Sequence, residues 1–169
     1  MKTIIFVCHG NICRSPMAEA LFSYLAKENN IAGRFVISSR ATSTEELGNP
    51  VHPKVKQILA RFGLSVNEKR AEQITRSECD EADLVVIMDE RNRRGLQPFI
   101  GKNSHKVKTL LSFAGLDRDI SDPWYTGDFE TTQNDILLGC KALLQSFMRS
   151  FSHTAPIVRK NEKQTGETL

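Results

Sequence analysis

Val7-Cys8-His9-Gly10-Asn11-Ile12-Cys13-Arg14-Ser15-Pro16 is the stretch whose reading decides the fold. It follows Thr3-Ile4-Ile5-Phe6-Val7, a β-branched and aromatic run expected to form a buried strand. Ser15 followed by Pro16 signals a helix start, with the serine as cap and the proline at the first helical position. The order is strand, tight loop, helix, with a cysteine at the strand end and an arginine where the helix begins. A loop wrapped in front of a helix N-terminus aims several backbone N–H groups at one point, and the helix dipole adds positive potential. Arg14 supplies a planar fork that matches a phosphate or a similar oxyanion. Cys8 lies in the same field, which favours a thiolate nucleophile. Gly10 and Asn11 are expected to take the left-handed backbone that turns successive N–H groups inward. A thiolate beneath a bound phosphate is the arrangement that forms a phosphocysteine.

Working outward, the 169 residues fit one domain with a sizeable core, and 40% hydrophobic with 25% charged residues is ordinary for a soluble globular chain. A net charge of +3 argues for neither nucleic acid nor a membrane surface as partner. Four scattered cysteines, Cys8, Cys13, Cys79 and Cys140, lack paired metal-ligand spacing, so no metal is expected and a reducing compartment is favoured. The N-terminal apolar run, Ile4 to Cys8, is too short for a signal peptide or a span. A cytoplasmic protein is expected.

Met17, Ala18, Leu21, Phe22, Leu25 and Ala26 recur at helical spacing, predicting a helix from Ser15 to Lys27. Phe35-Val36-Ile37-Ser38 reads as a second strand. Pro53 opens a helix with Val55, Ile58, Leu59 and Phe62 inward and Gly63 as its stop. Ser77 with Asp80 suggests a weak capping box for a short helix. Leu84-Val85-Val86-Ile87-Met88 is continuous and apolar, as a central parallel strand covered on both faces should be. Asp89 follows it, as a second support to the site or simply a helix cap, and a helix is expected over Arg91 to Phe99. Val107 to Leu111 is a fourth strand candidate, and Phe129 to Phe151 a long amphipathic helix. The expected architecture is α/β: a small, single-domain, doubly wound four-stranded parallel sheet with helices on both faces, spanning residues 1–151. Residues 152–169 are polar and unpatterned, and a flexible tail is expected there. Ligands of such sheets bind at the carboxyl ends of strands, where the Cys8 loop lies.

Phosphoryl transfer to a thiolate also needs a proton donor for the leaving oxygen. Ser121-Asp122-Pro123-Trp124-Tyr125-Thr126-Gly127 offers one: an acid in a loop stiffened by Pro123, beside two aromatics able to wall an aromatic leaving group. Taken alone, this stretch reads equally well as a turn with core aromatics.

The run Cys8-His9-Gly10-Asn11-Ile12-Cys13-Arg14-Ser15-Pro16 resembles the signature loop of the low-molecular-weight protein tyrosine phosphatases, and the likeness covers roughly the first 150 residues. Further recognisable pieces are Gly48-Asn49-Pro50, Gln73-Ile74-Thr75, Met88-Asp89-Glu90-Arg91-Asn92 and Gly127-Asp128-Phe129-Glu130. The resemblance, to a bacterial-type member, implies Cys8 as nucleophile, Arg14 as phosphate and transition-state ligand, and Asp122 as acid and then base. It implies that His9, Gly10, Asn11, Ile12, Cys13 and Ser15 line the phosphate site, with Ser15 bonding the thiolate, and that Trp124 and Tyr125 wall the pocket. Ser39 corresponds to a serine supporting Asn11. Cys13 corresponds to a second cysteine that protects the first from oxidation, where a small packing residue is the alternative. Two departures stand out. Glu45 occupies a rim position where many relatives carry an aromatic, and Lys69 and Glu72 stand near Gln73 where relatives often have a histidine and an arginine. His9 is expected at the rim; His52, His105 and His153 are expected on the surface, and Arg91, Arg93 and Arg94 on a solvated face.

The implied function is hydrolysis of phosphotyrosine and small aryl phosphates through a phosphocysteine, without cofactor. Tyrosine-phosphorylated proteins are the expected partners, and the protein is expected to be a monomer or weak dimer. Arsenate reductase of the same fold is an alternative, weakened because Cys79 and Cys140 lie 61 positions apart rather than as a nearby pair. A phosphoprotein-binding module without turnover is another, weakened because binding alone needs no acid at Asp122.

Overall fold

The computed structural model describes residues 1–154. Four parallel strands, β1 (Lys2–Cys8), β2 (Phe35–Ala41), β3 (Leu84–Ile87) and β4 (Val107–Thr109), lie in the order β2-β1-β3-β4. Around them run α1 (Arg14–Glu28), α2 (Pro53–Ala60), α3 (Arg76–Glu81), α4 (Glu90–Gly95), α5 (Gln97–Ile100), α6 (Pro123–Thr126) and α7 (Phe129–Thr154). The sheet is buried on both faces, and period two sorts its side chains. Ile4 and Phe6 of β1, with Val86 of β3, join one core against α1 and α7, where Met17, Leu21, Phe22, Ile136 and Leu143 meet them. Ile5, Val7, Val85 and Ile87 point the other way, onto Ile74, Cys79, Leu96 and Ile100. Cys8 ends β1 on the α1 side.

The strand order reverses between β1 and β3, since the chain leaves β1 towards β2 and later returns to the opposite edge. That crevice, beyond the carboxyl ends of both strands, is where a doubly wound sheet takes its ligand. The loop after β1, Asp89 after β3 and the segment before α6 all open there.

Several boundaries differ from expectation for local reasons. Helix α1 begins at Arg14 with Cys13 before it, and no side chain caps it, so Ser15 is an inner residue of the first turn rather than the cap. Thr75 caps α3 in a reciprocal box with Glu78, displacing the pair expected at Ser77 and Asp80. The helix expected over 91–99 is two short ones, α4 and α5, joined at Leu96 ahead of Pro98. Only Val107–Thr109 of the fourth strand pairs; Leu110–Ala114 turns into a 3₁₀ helix whose Leu110 packs where Gly139 leaves α7 without a Cβ. Helix α7 continues to Thr154, so the first three residues of the expected tail are helical, and 155–169 lie outside the described residues. Among the described residues, no helix is long and apolar enough to cross a membrane.

Candidate active site

The site is built on the loop from Cys8 to Arg14, and the loop's shape rests on Asn11. Asn11 has φ of 60°, the left-handed turn expected of it, and its side chain is fully buried. Its amide donates to Ser15 Oγ at 2.8 Å and to Ser39 Oγ at 3.0 Å, while its carbonyl oxygen accepts from the Glu72 N–H at 3.1 Å. With its hydroxyl oxygen occupied in this way, Ser15 is free to donate its proton to Cys8 Sγ, 3.0 Å away. The Asn11 N–H also points at that sulfur, at 3.3 Å. Two groups able to donate thus converge on Cys8 Sγ. Gly10 departs from expectation: its φ is not positive, and its missing Cβ instead leaves room for Glu46, whose Cγ would lie 3.3 Å from such an atom.

Neighbouring chain latches the loop in place. Thr42 and Ser43 donate backbone N–H groups to the carbonyls of Cys8 and His9, Ser43 Oγ adds a second bond to His9, and His52 N–H donates to Ile12. Behind Ser39, Lys69 Nζ donates to the Ser39 carbonyl at 2.9 Å. Lys69 and the Glu72 backbone therefore do the bracing in this chain. Glu19 on α1 belongs to the same group: burial pushes its carboxyl up, against the pull of Lys69 and Arg40. Burial also draws Lys69 down from the usual lysine range, with Glu19 opposing. Nothing in the sequence around Glu19 marked it, because it stands among alanines on a helix and its partners come from elsewhere.

Arg14 is 2% exposed. Its Nη1 donates to Asp89 Oδ2 at 2.6 Å and to the Ile120 carbonyl at 2.8 Å, and its Nη2 faces Asp122 Oδ2 at 3.4 Å. Burial opposes its charge, but Cys8, Asp89 and Asp122 outweigh that and hold the guanidinium above its ordinary value. Asp89 plays both roles open to it: it caps α4 through Asn92 and fixes Arg14. Asp122 caps α6 with one oxygen, accepting from the Trp124 N–H at 3.0 Å, and offers the other to the site.

Cys8, Asn11, Arg14 and Asp122 line one cleft of about 110 Å³, together with His9, Ile12, Cys13, Glu45, Trp124 and Tyr125, while Ser15, Ser39 and Asp89 stand behind it. The two aromatics are not core residues; Trp124 is 60% and Tyr125 68% exposed at the mouth. Glu45 stands at the rim, with Oε2 2.9 Å from His9 Nε2. His105 and His153 are exposed, but His52 is half-buried: its Nδ1 accepts from Lys54 N–H to cap α2, and its ring lies 4.9 Å from Phe129 and 6.3 Å from Trp124. It props the base of the acid loop. Cys13 is buried beside the cleft, and burial, then the neighbouring Cys8, pushes its thiol up to about 12. Among the described residues no cluster of three or more His, Cys, Asp or Glu is placed to hold a metal.

Comparison with known proteins gives a consistent result. The family model described as low molecular weight phosphotyrosine protein phosphatase matches residues 3–153. Low molecular weight protein-tyrosine-phosphatase YfkJ of Bacillus subtilis is 38% identical over 152 residues, covering 88% of this chain and 97% of that protein. The low molecular weight phosphotyrosine protein phosphatase of Gallus gallus is 36% identical, covering 86% and 95%. The crystal structure of YfkJ superposes with a TM-score of 0.84 at 37% identity, over 89% of this chain and 96% of that one. That of the Streptococcus pyogenes phosphatase SP-PTP gives 0.78 at 33%, over 92% and 100%.

Proposed function

The chain belongs to the low molecular weight phosphotyrosine protein phosphatase family and is a cysteine-dependent phosphatase, and from that premise we propose that Cys8, Arg14 and Asp122 hydrolyse phosphotyrosine in proteins, and small aryl phosphates, in two steps. The Cys8 thiolate attacks phosphorus, forming the S–P bond as the P–O bond to the phenol breaks. Asp122 gives its proton to the departing oxygen. Water then attacks the phosphocysteine, Asp122 takes up the water's proton, the S–P bond breaks, and phosphate leaves with the thiolate restored. Arg14 and the loop N–H groups hold the phosphoryl oxygens through both steps and stabilise the charge spread over them. Trp124 and Tyr125 wall the ring.

One observation carries this reading: Ser15 and Asn11 are aimed at Cys8 Sγ while Arg14, opposite, already touches the Asp122 carboxylate across the same cleft. A binding module has no use for that last group. The test is release of phosphate from a phosphotyrosine peptide and from p-nitrophenyl phosphate in the presence of EDTA. Wild type should turn over both, and Cys8→Ser neither; turnover by Cys8→Ser removes the mechanism.

The reading extends to three finer points. Residues 1–151, extended by the last turn of α7 to Thr154, form the catalytic domain. The protein works in the cytoplasm, in keeping with four free cysteines, and as a monomer or weak dimer. Oxidised Cys8 is rescued by Cys13: the sulfenic acid condenses with the Cys13 thiol, forming a disulfide and releasing water, and a cellular thiol then reduces it.

A further inference from the structure

The mouth of the cleft carries unlike charges on two different walls. On one, Glu45 and Glu46 line the cleft; Glu45 meets His9 yet keeps 70% of its side chain exposed, and Asn49 holds Glu46 through a 2.6 Å bond. On the other, Arg91 sits beyond Tyr125 in an adjoining recess bordered by His9, Asp89 and Asn92, its guanidinium 5.8 Å from the Tyr125 ring centre, with His9 standing between it and Glu45. The carboxylates nearest that recess, Asp89 and Asp122, are turned to Arg14, and Glu90 pairs with Arg93. Among the described residues Arg91 makes no ion pair, and no contact with the cradle around Cys8 employs it. It lies beside the mouth, across the exposed Tyr125 ring that lines both the recess and the cleft, within the path of a substrate's flanking residues.

We propose that this polarity selects substrates: a phosphotyrosine with a basic neighbour on the side that meets Glu45 and Glu46, and an acidic neighbour on the side that meets Arg91. The inference rests on the phosphotyrosine reading of the site. A phosphotyrosine inserted between the aromatic walls leaves its peptide backbone at the mouth. Residues on either side follow at about 3.5 Å per position, within reach of long Glu and Arg side chains. The dianionic phosphate makes the Glu45–Glu46 wall repulsive to a substrate without a basic neighbour, and a lysine or arginine there removes that repulsion. Arg91 extends the same discrimination to the other flank by attraction.

Two peptides of identical composition and opposite order test this, Ala-Lys-pTyr-Glu-Ala and Ala-Glu-pTyr-Lys-Ala, assayed for kcat/KM with the intact protein. One order should be preferred by about three- to tenfold at low salt, as two exposed ion pairs allow, and the ratio should fall towards one at about 0.5 M salt. The double variant Glu45→Lys/Arg91→Glu should invert the preference. The milder Glu45→Gln and Arg91→Gln should each shrink it. Every ratio is taken within one enzyme, so a change in overall activity does not enter it. Equal rates on the two peptides in wild type, or a preference that survives charge reversal, overturns the polarity alone. Hydrolysis of neither peptide by wild type overturns the phosphotyrosine reading beneath it.

Discussion

The floor and the rim of this cleft are built on different terms. At the floor, Asn11, Arg14, Ser15 and Ser39 are 0–2% exposed, and every polar side-chain atom buried among the described residues has a partner. At the rim, Glu45, Trp124 and Tyr125 keep most of their side chains in water, and their contacts are a single ion pair and a few ring edges. Buried polar networks are costly when half satisfied, so the floor has one geometry; exposed groups exchange one contact for water at little cost. In the proposed mechanism, chemistry therefore belongs to the floor and preference among substrates to the rim.

That division predicts a graded series of effects. The largest is at the sulfur: Cys8→Ser should lose roughly 10⁴-fold or more in kcat, on the scale of deleting a nucleophile, while inorganic phosphate still binds. A phosphate affinity that collapses along with kcat breaks the separation of cradle from nucleophile. Next comes the acid. Asp122→Asn should slow aryl phosphate hydrolysis by about 10²–10⁴-fold, with the deficit shrinking for phenols of low pKa that need no proton. A uniform deficit across leaving groups removes Asp122 from that role.

The brace follows. Asn11→Ala forfeits three hydrogen bonds and forces a left-handed alanine, so unfolding in urea should show a loss of about 2–4 kcal/mol together with lower kcat. A stability change below about 1 kcal/mol means the loop holds its shape without Asn11. Smaller still is the redox effect. After inactivation by peroxide, dithiothreitol should restore most activity to wild type and less to Cys13→Ser. Because burial pushes the Cys13 thiol up to about 12, it stays protonated through neutral pH and adds nothing to basal turnover. Equal recovery leaves Cys13 as packing. The smallest effect is at the rim, where Glu45→Tyr should lower KM for phosphotyrosine peptides by about two- to tenfold, the scale of one added aromatic pair, with kcat nearly constant. A kcat effect as large as the KM effect would dissolve the contrast between rim and floor.

The parts of the site legible from local pattern alone have partners close in sequence, whereas Ser39, 28 positions from Asn11, and the pairing of Asp122 with Arg14, 108 positions away, needed the family resemblance or the fold. Strand, loop and helix follow one another directly over residues 2–28, and Asn11 and Ser15 reach Cys8 from three and seven positions away. Misreadings arose where a local signal competed with a distant one. Ser15 looks like a helix cap because serines before proline commonly are, yet its hydroxyl is spent on Cys8. His52 looks isolated, but Phe129 and Trp124 reach it from the far end of the chain. Gly10 is small for the sake of Glu46, not for its own backbone.

By itself the sequence determined the α/β alternation and the strand-to-helix loop that carries Cys8 and Arg14, because hydrophobic period, turn residues and helix-start signals act over a few neighbours. Tertiary structure alone decided what charges the cradle feels. Asp89 comes to Arg14 from 75 positions away, the Ile120 carbonyl from 106, and Lys69 to Ser39 from 30. The Arg14–Asp89 pair exists because β1 and β3 lie side by side and deliver their carboxyl ends to one crevice, and the Lys69–Ser39 contact forms at β2 on the other side of β1. Ion pairs depend on distance in space, and no pattern along a chain records that distance until the sheet has been assembled.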